Sequence, residues 1–202
     1  MAPRSTNKQL LINLLANIIG FLVNIGIQFF LTPFIVKSLG VAAYGFVGLS
    51  SNIIMYTQLI STALNSMSGR YITIKYTEGD VSSANKYFSS VFYSNILLSI
   101  FIGIALFCAM YYIEAILNVP QELLFDVKLL LFFLSVNYIF SLLTNVYSLA
   151  TFVKNRLDLS SIVSIIANVS KTIILCGLFA LCVPHIWYIG LAGTVYTLYI
   201  SL

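Results

Sequence analysis

The chain has 202 residues, of which 60% are hydrophobic and 8% are charged. Soluble domains carry about a quarter charged residues, so this composition excludes an ordinary soluble protein and indicates a membrane protein. The formal net charge is +4. Because the basic residues are scattered and form no dense patch, this charge does not indicate nucleic acid as a partner.

Long apolar segments follow one another along the chain, and each predicts a transmembrane helix, because about 20 apolar residues cross ~30 Å of hydrocarbon. The predicted helices span residues 10–36, 41–69, 87–113, 122–150, 159–183 and 186–202. The first is expected to be retained, since its apolar run is too long for a signal peptide. The chain stops inside the last, so we expect residues 1–202 to be a single, truncated lobe. The predicted fold is an all-α membrane bundle of about six transmembrane helices.

Polar side chains recur at helical spacing inside several predicted helices. The clearest stripe is on the first helix, at steps of three and four residues: Asn13, Asn17, Gly20, Asn24 and Gln28. Residues at this spacing share one helix face. If that face met lipid, the amides would lack hydrogen-bond partners, which hydrocarbon penalises heavily. The stripes are therefore expected to face other helices or water.

Two interpretations of the stripes are open. In one, small and polar residues only join helices to each other. In the other, they line a hydrophilic cavity that solvates a polar substrate. We favour the cavity, because more helices carry stripes than packing usually requires. The predicted lining residues are Asn17, Asn24, Gln28, Gln58, Asn65, Asn137, Asn168 and Lys171.

Lys171 is the strongest single candidate for a binding role. It lies about 12 residues into the fifth predicted helix, hence ~18 Å deep and near the bilayer midplane. A lysine there costs at least ~2.5–3.5 kcal/mol on insertion scales. Asn168 shares its helix face, and no acid in the other predicted spans is available to pair with it. The cation either attracts an anionic substrate, or is satisfied by Asn and Ser side chains or by an acid elsewhere in a longer protein.

Basic residues outside the spans give an orientation. With the N-terminus inside, the inner segments hold Arg4, Lys8, Arg70, Lys75, Lys86, Lys154 and Arg156, and the outer segments hold Lys37 and Lys128. The positive-inside rule therefore places the N-terminus in the cytoplasm. Arg70 and Arg156 are expected at the inner mouth, where they contact phosphate or anchor their helices by snorkelling.

Catalytic and metal-binding motifs are absent from the sequence. It has no HExxH, no phosphate-cradling glycine loop and no paired acids. Cys108, Cys176 and Cys182 lie in apolar runs without a CxxC pair, which is typical of small buried hydrophobes. His185 has no ligating residues beside it in the sequence. We therefore expect no enzymatic activity, no metal and no other cofactor.

The corner between the first two predicted helices has a distinctive order of residues. Pro33 near the end of the first helix is followed by Lys37, by Leu39-Gly40 and by Tyr44-Gly45. This order, together with Gly69-Arg70-Tyr71-Ile72 and residues 154–159, resembles polysaccharide-export flippases. These are O-antigen transporter-like proteins of the multidrug/oligosaccharidyl-lipid/polysaccharide (MOP) superfamily. The chain would correspond to their N-terminal half.

The resemblance implies a two-lobe transporter around a central cavity, located in the inner cell membrane. Such a protein moves a lipid-diphosphate-linked oligosaccharide from the inner to the outer leaflet for surface polysaccharide or lipopolysaccharide synthesis. Lys171 would then neutralise substrate charge, and amides of the first two helices would contact sugars. The implied partners are the lipid-linked oligosaccharide, membrane lipids, a polysaccharide polymerase and glycosyltransferases. Two alternatives stay open: a multidrug or cation exporter of the same superfamily, and a non-transporting membrane assembly subunit.

Overall fold

The computed structural model describes residues 6–153 and 157–201. Over these ranges the protein is all-α, without a strand, as an all-α membrane protein requires. Its helices are α1 (Thr6–Leu39), α2 (Val41–Thr77), α3 (Val81–Tyr111), α4 (Ile113–Ile116), α5 (Gln121–Val153), α6 (Leu157–Leu181) and α7 (Trp187–Ser201).

Four of the described helices are long and apolar enough to cross a membrane. The stretches concerned are Lys8–Leu39, Val81–Tyr111, Gln121–Thr144 and Asp158–Leu181. Two other predicted spans do not reach this standard. The described part of α7 has 15 residues, and polar residues interrupt α2 along its length. The outer faces of the spans suit lipid contact, since Phe29 and Phe30 are 73% and 76% exposed.

The connection between α2 and α3 is much shorter than predicted. The sequence suggested a polar connection over residues 70–86, but α2 continues to Thr77 and α3 begins at Val81. Only the turn at 78–80 remains, where Gly79 has a φ of 82° that L side chains rarely adopt. The prediction of the longer connection was wrong, because polar side chains do not end a helix when its backbone hydrogen bonds continue.

The first corner is also tighter than predicted. The helix α1 continues through Pro33 to Leu39, three residues beyond its predicted end at residue 36. Gly40 alone separates α1 from α2, and its φ of 86° explains why glycine occupies the corner.

Helix packing divides the bundle into two groups that α7 joins. One group pairs α1 with α6, and the other contains α2, α3 and α5. Helix α7 packs against both α5 and α6, whereas α1 and α2 share few contacts. We call the end of the bundle where α1, α3 and α6 begin the amino end, and the opposite end the Gly40 end.

The apolar core follows the same division. One cluster joins α1, α6 and α7 through Leu31, Leu175 and Ala192, among others. The two remaining clusters join α2 to α5, with α4 in one of them and α3 in the other. The close approach of α5 and α7 depends on small residues. A Cβ atom added at Gly190 would lie 2.8 Å from the Cβ of Phe133.

Candidate functional site

The first part of the α1 stripe joins α1 to α6. The Gln9 side-chain amide donates to Asn13 Oδ1 and to Asp158 Oδ1, each at 3.1 Å. The backbone N–H of Asp158 donates to the same Asn13 Oδ1, also at 3.1 Å. All of these side chains are buried. At the amino end the stripe is therefore a contact between helices.

The next residues of the stripe continue this contact. Ser161 Oγ donates a hydrogen bond of 2.7 Å to Asn17 Oδ1. A Cβ atom at Gly20 would lie 3.8 Å from Ile165 Cγ1. Asn17 was predicted to line the cavity, and the structure places its carbonyl oxygen against α6.

The last residues of the stripe, Asn24 and Gln28, are exposed. Because Asn17 pairs with Ser161 and both helices begin at the amino end, the register of α1 against α6 is fixed. At 1.5 Å per residue, Asn24 comes level with Asn168 of α6. Asn168 is half-buried, and its backbone carbonyl accepts a hydrogen bond from Thr172 Oγ1 at 2.7 Å.

Lys171 lies near the middle of α6 and is half-buried. Its Nζ atom is 6.0 Å from the centroid of the Tyr196 ring on α7, at the outer limit of a cation–π contact. Over residues 6–153 and 157–201, no ion pair includes Lys171. Asn168 precedes Lys171 by three residues on α6, and the register places Asn24 of α1 level with Asn168.

The predicted amides on α2 and α5 lie elsewhere. Asn137 joins α5 to α7, because its Nδ2 donates to the Gly190 carbonyl at 2.9 Å and its Oδ1 accepts from Thr197 Oγ1 at 3.4 Å. Asn65 Nδ2 donates to the Ser61 carbonyl at 2.9 Å. Gln58 is exposed. Among the hydrogen bonds of the described residues, none connects these three amides to Lys171.

Two basic residues were predicted at the inner mouth, and Arg70 is the one that the structure describes. Arg70 is exposed on the surface of α2, about two turns before that helix ends at Thr77. Its predicted position implied a connecting segment, but Arg70 belongs to a helix. Arg156 lies outside the described residues.

A histidine–carboxylate contact at the Gly40 end was not predicted. His185 Nδ1 lies 3.0 and 3.2 Å from the carboxylate oxygens of Asp126. The same carboxylate accepts the backbone N–H of Ile186 at 3.3 Å, so it fixes the start of α7 against α5. No periodic signal could have revealed it, since His185 and Asp126 are 59 residues apart. In the described part of the chain, no group of three or more His, Cys, Asp or Glu residues is placed to hold a metal ion.

A second missed contact joins α2 to α5. The hydroxyl of Tyr138 lies 2.8 Å from Ser61 Oγ and 3.1 Å from the Thr57 carbonyl. Tyr138 is buried and also belongs to an apolar cluster of α2, α3 and α5. An aromatic residue in an apolar run is typical of core packing, so the hydrogen bonds of the Tyr138 hydroxyl were not predicted.

Comparison with known proteins gives one informative similarity. The chain is 36% identical over 182 residues to the uncharacterized membrane protein EpsK of Bacillus subtilis (strain 168). The aligned region is 90% of this chain and 36% of that protein, so the chain spans little more than a third of its relative. No protein-family model matches the chain. No solved structure matches it. The similarity and the apolar helices together show that this is a membrane protein.

Proposed function

We propose that the protein is not an enzyme but one lobe of a flippase of the MOP superfamily. The complete protein would translocate a lipid-diphosphate-linked oligosaccharide across the cytoplasmic membrane for surface polysaccharide synthesis. One observation carries the proposal: Lys171 lies in the middle of an apolar helix, half-buried, 6.0 Å from the Tyr196 ring and without an ion pair among the described residues. A cation in such a place attracts an anion, because charges interact more strongly where water is scarce.

The chemistry of the surrounding residues suits the two parts of this substrate. The Lys171 ammonium donates up to three hydrogen bonds and would bind the diphosphate. Asn24, Gln28 and Asn168 offer amide donors and acceptors that would bind sugar hydroxyls. The lipid tail can stay in the bilayer, so only the polar part of the substrate requires this environment. Arg70 and Arg156 would contact the phosphate at the mouth.

Alternating access would move this lobe against the second lobe of the complete protein, around a site near the midplane. We propose the N-terminus in the cytoplasm, and a polysaccharide polymerase and glycosyltransferases as partners.

An exporter of cationic compounds is less well supported. Such a protein needs a carboxylate near the middle of a span. In the described parts of α1, α2 and α3 there is no acid, and the acids of α5 and α6 lie in their first two turns: Glu122, Asp126 and Asp158. Asp126 and Asp158 also accept hydrogen bonds from neighbouring elements.

The test uses cells that lack the complete gene, complemented with full-length variants. Lipid-linked oligosaccharides are extracted and their leaflet is assigned by access to a membrane-impermeant reagent. We expect the null strain to accumulate the glycan on the inner leaflet. Lys171→Ala should slow its translocation about tenfold or more, because a hydrogen bond to a charged group contributes about 1.5–3 kcal/mol. Lys171→Arg should restore part of the rate.

Lys37→Ala is the matched control, since Lys37 is exposed at the Gly40 end. It should translocate the glycan normally. Normal glycan export in the null strain, with raised sensitivity to cationic drugs, would favour the exporter. Normal export together with loss of a polysaccharide-synthesis complex would favour an assembly subunit.

A further inference from the structure

A polar cavity lies between α2 and α3, in the half of the bundle nearer the amino end. Its volume is about 400 Å3, within the range of ligand sites in proteins. The polar residues that line it are Asn65, Ser68, Ser90, Ser94 and Asn95. Ser94 and Asn95 lie about 12–14 Å along α3 beyond Lys86, which the sequence places at the membrane surface.

The serine hydroxyl groups that line this cavity are open to an occupant, and Ser90 and Ser94 are exposed. Over the described residues, the side chains of Ser68, Ser90 and Ser94 make no hydrogen bond. The hydroxyls of Ser99 and Ser135, in contrast, donate to carbonyls of their own helices at 2.7 Å. Hydroxyls at membrane depth need partners, so those of the cavity require a polar occupant.

Asn95, which also lines the cavity, supports the same conclusion. The side chain is 2% exposed, and its Nδ2 donates to the Leu142 carbonyl of α5 at 3.3 Å. In the part of the chain that the structure describes, its Oδ1 accepts no hydrogen bond. The Asn95 carbonyl oxygen is thereby held in place and remains able to accept a hydrogen bond from an occupant.

The rim of the cavity is apolar and exposed. Leu97 and Phe101 also line it, and they are 59% and 65% exposed. Large exposed apolar side chains on a membrane helix face lipid, so the cavity opens toward the bilayer. Among the described residues that line the cavity, none is charged. This lining suits a neutral occupant that is rich in hydroxyl groups and able to enter sideways from the membrane.

We propose that this cavity binds the uncharged sugar headgroup of a membrane glycolipid. The inference goes beyond the proposed function, because it adds a binding site for a neutral glycolipid that is separate from Lys171. A sugar ring there would donate to Asn95 Oδ1 and exchange hydrogen bonds with the serine hydroxyls. Its lipid chain would lie along Leu97 and Phe101.

The test measures lipid binding, without transport. Full-length protein is placed in phosphatidylglycerol nanodiscs that contain monoglucosyl-diacylglycerol, a lipid with one neutral sugar and no diphosphate. Lipids that stay bound are counted by native mass spectrometry. We expect the wild type to retain the glucolipid in preference to phosphatidylglycerol. The double variant Ser90→Ala/Ser94→Ala should lose this preference about tenfold, as expected for two lost hydrogen bonds.

Ser89→Ala is the matched control, since Ser89 is the exposed neighbour of Ser90 and does not line the cavity. It should bind like the wild type. Equal retention of both lipids, binding of phosphatidylglycerol alone, or unchanged preference in the double variant would overturn the inference. Lys171→Ala should leave glucolipid binding intact. A failed flippase assay with intact, serine-dependent glucolipid binding would refute the proposed function and leave this site standing.

Discussion

Ser161 on α6 and Asn17 on α1 are joined by a hydrogen bond of 2.7 Å, with the serine hydroxyl as donor. Seven residues later on the same face of α1, Asn24 is exposed and makes no hydrogen bond to another described side chain. The first half of this polar stripe thus contacts α6, and the second half is exposed. The packing interpretation therefore applies to the first half of the stripe, and the cavity interpretation stays a prediction for the second half.

Loss of the Asn17–Ser161 hydrogen bond should weaken helix packing and not transport. We expect Asn17→Ala and Ser161→Ala to show a coupling free energy of about 0.6 kcal/mol in a double-mutant cycle, the usual value for such bonds in membrane proteins. Unfolding of the purified protein in mixed micelles would measure it. Ser160→Ala is the control, because Ser160 is exposed. Zero coupling, or a loss of glycan translocation with normal stability, would contradict this prediction.

Replacement of Gly190 should separate α5 from α7. The methyl group of Gly190→Ala would lie 2.8 Å from Phe133 Cβ and 3.3 Å from the Leu130 carbonyl oxygen, so the helices must shift. Overpacking of this kind costs about 1–3 kcal/mol. Gly177→Ala is the matched control, since nothing lies within 4 Å of its added Cβ atom. Thermal unfolding should show a lower midpoint for Gly190→Ala only, and equal midpoints would refute the close approach.

The sequence was sufficient for the helical fold because membrane helices have a strong apolar signal. It was less reliable for α2, where residues 70–77 were predicted to belong to a connection and are helical. Apolar composition indicates which residues lie in the hydrocarbon layer of the membrane, but backbone hydrogen bonding determines where a helix ends. At the first corner α1 ends where Gly40 follows it, three residues beyond the predicted end of the apolar run.

The partners of polar side chains could not be predicted from periodicity. Asn17 and Asn24 have the same residue type and spacing, yet only the position of α6 distinguishes them. The contact of Asp126 with His185 also depends on the packing of α5 against the start of α7. These contacts depend on how the helices are placed relative to one another. The spacing of residues along the sequence does not reveal that placement.

The start of α3 should depend on pH through Asp80. Its carboxylate accepts the Ser83 backbone N–H at 3.0 Å, and this hydrogen bond holds the pKa of Asp80 below its ordinary value. A lowered pKa in the folded state means that the stabilisation is present above the unfolded pKa of about 3.9 and is lost as the pH falls through the folded value. Hydrogen exchange should show falling protection of the Ser83 amide at acidic pH. Asp80→Asn should remove the pH dependence, because a neutral amide also caps helices. Equal pH profiles for both proteins would contradict this role.

Substitutions at the exposed end of the α1 stripe test whether its amides serve helix packing or substrate transport. Asn24 and Gln28 are exposed, so Asn24→Leu/Gln28→Leu should leave the unfolding midpoint nearly unchanged. If these amides bind sugar hydroxyls, the translocation rate should fall about tenfold, since each hydrogen bond contributes about 1 kcal/mol. Ile25→Leu is the control, because Ile25 is exposed between them and already apolar. The leaflet assay and thermal unfolding, run on the same variants, separate the outcomes. A stable double variant that translocates normally would remove these amides from the site and leave Lys171 and Asn168 as its remaining polar members.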